Sequence, residues 1–134
     1  MAINQLTVFV ENKQGTVVSI TEILSKNNIN LRALSIAETE AFGILRLIVN
    51  DEEAAVKALT DAGYLLKVTE VVGVKIGDAP GKLSAVLRVL DDKNINVEYM
   101  YSYAGVDGHA KIAFKTSEPE KAVGMLKNAG AKII

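Results

Sequence analysis

The residues best placed to do chemistry lie in two short glycine-bearing segments, Glu11-Asn12-Lys13-Gln14-Gly15-Thr16 and Gly77-Asp78-Ala79-Pro80-Gly81-Lys82. A glycine where a strand turns into a helix leaves no side chain in the path of a ligand approaching the backbone. The helix beyond it presents unpaired N–H groups and the positive end of its dipole. Such a corner suits a carboxylate, which gains roughly 0.3–1 kcal/mol from the dipole besides its hydrogen bonds. Asn12 can both donate and accept, whereas an ionised Asp78 only accepts and fits an ammonium group better. Gln14 stands where the second segment has Pro80, so the first loop is the less rigid. Corners of this kind also serve structure alone, with Asn12 and Asp78 capping the helices.

Catalytic chemistry finds little to work with. His109 is the only histidine, and there is no cysteine, which removes disulfides, thiolate zinc sites and a cysteine nucleophile together. The acidic runs Asp51-Glu52-Glu53 and Asp91-Asp92 fall at helix ends and read as a dipole partner and a solvated surface. The run from Gly77 to Leu83 approaches a phosphate loop but has three residues between its glycines instead of four, and Leu83 replaces the Ser or Thr that meets Mg²⁺. The expectation is a protein that is not an enzyme and has neither a metal nor a cofactor.

The chain has 134 residues, 49% of them hydrophobic and 23% charged, with a net charge of −1. That balance belongs to an ordinary globular protein and offers no general attraction to nucleic acid or anionic membrane. No apolar run approaches the ~20 residues needed to span a bilayer. The start, Met1-Ala2-Ile3-Asn4-Gln5, lacks the basic flank and apolar core of a signal peptide, so the cytoplasm is the expected location.

The elements that must position the two corners are written twice. Gly15 and Gly81 align at an offset of 66, which also carries Asn28-Ile29-Asn30 onto Asn94-Ile95-Asn96. Leu59 and Ala62-Gly63 match Leu126 and Ala129-Gly130 at 67, so one residue is inserted between, in the turn around Val106-Asp107-Gly108. Leu6, Val8 and Val10, and later Val72, Val74 and Ile76, alternate as strands. Val17, Ile20, Thr21 and Leu24 form one helical stripe, as do Leu83, Val86, Leu87 and Leu90. Asn27-Asn28 and Lys93-Asn94 close these helices, since Asn accepts a left-handed backbone. Strands follow at 29–38 and 95–104, turns at Phe42-Gly43 and Gly105–Gly108, and strands at Ile44–Val49 and Lys111–Thr116. Second helices begin at Asp51 and at Ser117, whose spacing to Glu120 is that of a capping box. They end at Gly63 and Gly130, before short strands at 65–69 and 131–134.

Two βαββαβ units follow, an α+β fold of ferredoxin-like repeats with antiparallel sheets and helices on one face, in domains 1–69 and 70–134. If strands 29–38 and 95–104 pair, the sheets become one of eight strands. Tyr99, Tyr101 and Tyr103 on the second of these match the small Ala33, Ser35 and Ala37, which suits that pairing but equally suits strand aromatics packing on their own helices. On the face away from the helices the first copy is expected to show Thr7, Phe9, Leu34, Ile36, Ile44 and Ile48, too apolar to stay wet, and so to form a homodimer. The second copy should show Gly73, Lys75, Met100, Ser102, Lys111 and Lys115. With Phe9 the single aromatic among the outward central positions, RNA is not an expected partner.

The two corner segments resemble the ACT domain signature, an apolar strand, an Asn or Asp, a variable residue and Pro-Gly opening an apolar helix, with Gln14 in place of the usual Pro in the first. So do the Asn-Ile-Asn segments that follow. With Ile36-Ala37-Glu38-Thr39 leading into Phe42-Gly43-Ile44-Leu45-Arg46, the chain is similar to stand-alone tandem ACT proteins of bacteria and archaea over almost its whole length. The resemblance implies regulatory, non-catalytic binding of an amino acid or related metabolite between paired domains, where the first loop of one meets the second strand of another. Carried onto this chain, the implied ligand residues are Asn12, Lys13, Gln14, Gly15 and Thr16 with Asn30, and Asp78, Ala79, Pro80, Gly81 and Lys82 with Asn96. The alternative is an ACT scaffold that has lost its ligand and docks on a metabolic enzyme.

Overall fold

The computed structural model describes residues 3–38, 42–104 and 108–134. The order is β1 (Ile3–Glu11), α1 (Thr16–Lys26), β2 (Leu31–Glu38), β3 (Phe42–Val49), α2 (Glu52–Asp61), β4 (Leu65–Gly77), α3 (Lys82–Asp92), β5 (Tyr99–Tyr103), β6 (His109–Lys115), α4 (Pro119–Asn128) and β7 (Lys132–Ile133). The chain divides into two compact units, Asn4–Thr69 and, with Ile3 at the start of β1, Glu70–Ile134. In the first, β3 lies between β1 and β2, both antiparallel to it, and β1 also pairs with β4. In the second, β6 pairs with β5 and β4, and β4 with β7, all antiparallel. Each is the α+β, βαββαβ pattern expected. The strand at 65–69 is not a separate element, because β4 continues to Gly77; Phe42 and Gly43 begin β3 instead of forming a turn. The other expected turn and the inserted residue fall partly at 105–107, outside the described residues.

Each unit has its own core. Leu6, Val8, Leu45 and Leu47 on the sheet meet Ile20, Leu24 and Leu59 from the helices. Val72, Val74 and Phe114 meet Val86, Leu90 and Leu126 in the second. All four helices end alike, with a left-handed residue just beyond the last turn: Asn28 and Asn94 at φ 57°, Gly63 at 89° and Gly130 at 85°. The amide of the next residue returns to the carbonyl three places inside the helix, as in Ile29 to Leu24 and Ile95 to Leu90, both 2.9 Å. Such a closure satisfies carbonyls the helix itself cannot.

The helix starts differ. The Asp51 side chain caps α2 by accepting from the Ala54 amide at 3.1 Å. The expected Ser117–Glu120 capping box is absent: Pro119 occupies the first turn and sets the helix one residue later, making Glu118 the N-cap. The Glu118 amide donates to Thr116 Oγ1 at 3.3 Å.

The sheet faces need a correction. Ile29 is in the first core and Leu31 packs against it, so simple alternation would turn Leu34 and Ile36 away from the helices. A register shift between Leu31 and Ala33 reverses the phase, and Leu34 and Ile36 pair with the core residues Leu47 and Leu45. They belong to the helix side, yet stay 49% and 56% exposed. Thr7, Phe9, Ile44 and Ile48 keep the outward phase; Thr7 and Ile48 are buried and Phe9 is 38% exposed. The second copy makes the same switch, since Ile95 and Val97 face its core and then Met100 does. Tyr99, Tyr101 and Tyr103, not Met100 and Ser102, therefore share the outer face with Lys115, Ala113 and Lys111. Tyr99 and Tyr101 stack with centroids 6.5 Å apart, and Lys111 Nζ lies 5.4 Å from the Tyr103 ring centre.

Phe114 is fully buried between β4 and the helices of its unit. Phe114→Ala should lower stability by about 3–5 kcal/mol, seen as a reduced urea midpoint.

Candidate functional site

The two corners have the same backbone. Gly15 sits at φ 90°, ψ −15° and Gly81 at φ 87°, ψ −12°, each as the N-cap of the helix it opens. A side chain would be strained at that φ by contact with its own carbonyl, so glycine is required for conformation alone. The space beside each is open: a Cβ built on Gly15 or Gly81 meets no atom within 4 Å.

Among the described residues neither helix has a side-chain cap. Asn12 and Asp78, which could have served only as caps, do not. In the first corner the Thr16 amide reaches the Lys13 carbonyl at 3.5 Å, and the helical ladder begins with Ser19 to Gly15 at 3.1 Å. In the second, Lys82 reaches Ala79 at 3.3 Å and Ala85 reaches Gly81 at 3.1 Å. The amides of Val17 and Val18, and of Leu83 and Ser84, lie between these bonds, where a helix has no internal acceptor to offer. Asn12, Lys13, Gln14, Gly15, Asp78, Ala79, Pro80, Gly81 and Lys82 are all exposed, and Thr16 is half-buried. Lys13 pairs with Glu11 at 3.0 Å, and the Asp78 amide donates to the Gly108 carbonyl at 3.1 Å.

The structure does not bring Asn30 to the first corner within its own unit. Asn30 follows the far end of α1, about 16 Å of helix away at 1.5 Å per residue, where it exchanges bonds with Asn50 at 2.9 and 3.2 Å. Asn96 stands likewise beyond the far end of α3. Asn30 instead borders a shallow hollow of about 420 Å³ with Thr21, Ser25 and Asn28.

Sequence reasoning missed a larger feature beside the second corner. A groove of about 480 Å³ runs from Gly77 and Lys82 along Val86 and Val89 to Leu126 and Ala131, with Lys75, His109 and Lys132 also lining it. His109 opens β6 opposite Gly77 and is not part of a free turn. The available signal was a comparison of the two repeats position by position, since most of these residues differ between them. No group of three or more His, Asp or Glu able to hold a metal occurs among the described residues, and no helix there is long and apolar enough to cross a membrane.

Paired βαββαβ units whose first helices open from uncapped glycine corners define a tandem domain of the ferredoxin-like class. The family model for the ACT domain pair matches residues 1–132, and the chain belongs to that family. Protein BT0572 from Bacteroides thetaiotaomicron is 41% identical, with a TM-score of 0.94 over 100% of this chain and 92% of its own. The regulatory subunit of aspartate kinase from Thermus thermophilus, in its ligand-free form, superposes at a TM-score of 0.66 with 14% identity, covering 94% of this chain and 91% of that one. Aspartokinase III of E. coli, in complex with lysine and aspartate, matches 95% of this chain and 31% of its own, at 18% identity and a TM-score of 0.54. No curated protein matches the sequence.

At φ near +90° alanine is strained, so Gly81→Ala should destabilise the protein by about 1–2 kcal/mol. Paired urea titrations of Gly81→Ala and Gly124→Ala, a change inside α4 with open space around it, would check that the loss is specific to the corner.

Proposed function

We propose that this ACT domain pair is a non-catalytic regulatory protein of the cytoplasm that binds an amino acid or related carboxylate-bearing metabolite at its glycine corners, each corner being completed by a second ACT domain. The observation that carries this reading is the pair of helices opened by glycine with no side-chain cap. Four first-turn amides are thereby left for a ligand's carboxylate. Of the other two helices, α2 is capped by Asp51, while α4 also lacks a side-chain cap but begins with Pro119, which has no N–H to leave unpaired. Asn12 and Asp78 differ in hydrogen-bonding ability, so the two corners would bind unequally. Aspartokinase III, whose structure holds lysine and aspartate, supports the class of ligand by analogy of fold.

The reading is tested by a thermal-shift screen of the twenty amino acids. A ligand at 100 times its Kd should add about 2.7 kcal/mol and raise Tm by several degrees. Asn12→Ala or Asp78→Ala should abolish the rise with little change in the ligand-free Tm. A rise unaltered by both substitutions would remove the corners from the binding site.

A second reading, a ligand-free scaffold docking on a metabolic enzyme, draws on one observation: Leu34, Ile36 and Phe42 expose 49, 56 and 59% of their surface. Monomers seldom leave such residues uncovered together. We propose that Leu34 and Ile36 are covered by a second copy in a homodimer. The other expected contact positions, Phe9, Ile44, Tyr99 and Tyr101, lie like Phe42 on the sheet face away from the helices, and Ile48 is buried, so they fall outside this interface. Ile36→Glu should then halve the mass seen by light scattering while the circular dichroism spectrum stays native. A dimer that survives Ile36→Glu excludes this strand from the interface.

A further inference from the structure

The groove beside the second corner is absent as a pattern of residues from the first repeat, although the backbones match. At corresponding positions Tyr64 becomes Ala131, Ile20 becomes Val86 and Ile23 becomes Val89. Each change shrinks a side chain on the same wall; in the first unit Tyr64 packs against the core and Ile20 is part of it. Three other changes add cations, Phe9 to Lys75, Thr16 to Lys82 and Leu65 to Lys132, and one removes an acid, Glu11 to Gly77. The residues lining it include three lysines and His109 but no carboxylate, with Ile76 and Val89 as the accessible apolar floor and the buried Val86 and Leu126 behind them. None of the three lysines is ion-paired among the described residues, whereas Lys13 beside the first corner is paired with Glu11. The Lys82 stem lies across Gly77, within 3.4–3.6 Å of where a Cβ would stand, so Gly77 is what lets that lysine lie along the groove.

We infer that this groove is a binding site, within the second repeat alone, for an organic anion with a branched aliphatic tail and no ammonium group, a 2-oxo acid or simple carboxylic acid. The volume of about 480 Å³ is that of a small-molecule site. The apolar floor takes the tail and Lys82, whose stem lies along the groove, takes the carboxylate, while Lys75 and Lys132, set by the register on the sheet face away from the helices, add positive potential at its edge. An amino acid with the same tail would bring its ammonium among cations with no acceptor carboxylate, at a cost in Coulomb and desolvation energy. The inference narrows the ligand class proposed above and moves it off the interdomain corner, so it rests on that reading only for the idea that the protein senses a metabolite.

The test is calorimetric titration and thermal shift of the full-length protein with α-ketoisocaproate and with leucine, which share a carbon skeleton and differ in the ammonium. The oxo acid should bind saturably, and leucine at least about tenfold more weakly, as expected when one charged contact is lost or reversed. Two variants restore the first repeat's own residues: Ala131→Tyr refills the groove and Gly77→Glu returns the acid beside Lys82. Both should abolish oxo-acid binding, and Lys82→Gln should weaken it about tenfold. If Ala131→Tyr does not fold, Gly77→Glu, at the half-buried end of β4 where a Cβ would meet only the flexible Lys82 stem, still decides. Leucine binding as tightly as the oxo acid, no binding of the oxo acid, or binding indifferent to both variants would each overturn the inference. An amino acid whose binding is lost in Asn12→Ala or Asp78→Ala but kept in Ala131→Tyr would do so while leaving the corner reading intact.

Discussion

The chain must leave a sheet and enter a helix within four residues, Asn12 to Gly15 and again Asp78 to Gly81, and the rest of the structure depends on how that is done. A left-handed residue at φ near +90° swings the helix back over the strand just completed. Ile20, Ile23 and Leu24 then return to the sheet as one stripe, and Leu6, Val8 and Val10 have something to bury against. Only glycine takes that φ at no steric cost, and a glycine cannot cap. The same conformational need that builds the core therefore leaves open amides at the surface, and a structural requirement becomes a place where an anion can sit.

Duplication let the two copies spend the same backbone differently. In the first, the outer face of β1 carries a buried polar chain: Gln5 Nε2 donates to Thr7 Oγ1 at 2.9 Å, and Thr7 and Thr69 hydroxyls meet at 3.1 Å. The second copy has Val71 and Gly73 at those places, and the side chains of Ile3 and Ile134 close over Gly73 and would have to shift to admit a Cβ. Lysines gather instead at Lys75, Lys111 and Lys132, neighbours across β6, β4 and β7. Like charges on adjacent strands repel, so a row of three is a cost that an anionic ligand would relieve.

Much of the fold was legible because its causes are local. Gly15, Gly81, Gly63 and Gly130 stand at positive φ and Asn28 and Asn94 at the left-handed C-terminal turns, where residue type answers directly to backbone angle. The helical stripes and the Asp51 cap were legible for the same reason. Ser117 misled, since a capping box is also a local signal, but Pro119 inside it is a stronger one.

What the sequence by itself determined was therefore the repeat, the order βαββαβ and the place of both glycine corners, each written in a few adjacent residues. Only the tertiary structure decided which way β2 and β5 face. A bulge between Leu31 and Ala33 adds one residue and reverses every side chain beyond it, and nothing in the composition of that strand announces it. The groove was decided at the same level. Its walls come from β4, α3, α4 and β7, and whether a space exists among four such elements depends on the difference between Tyr64 and Ala131, which means nothing until the chain has brought that position beside Val86 and Lys82.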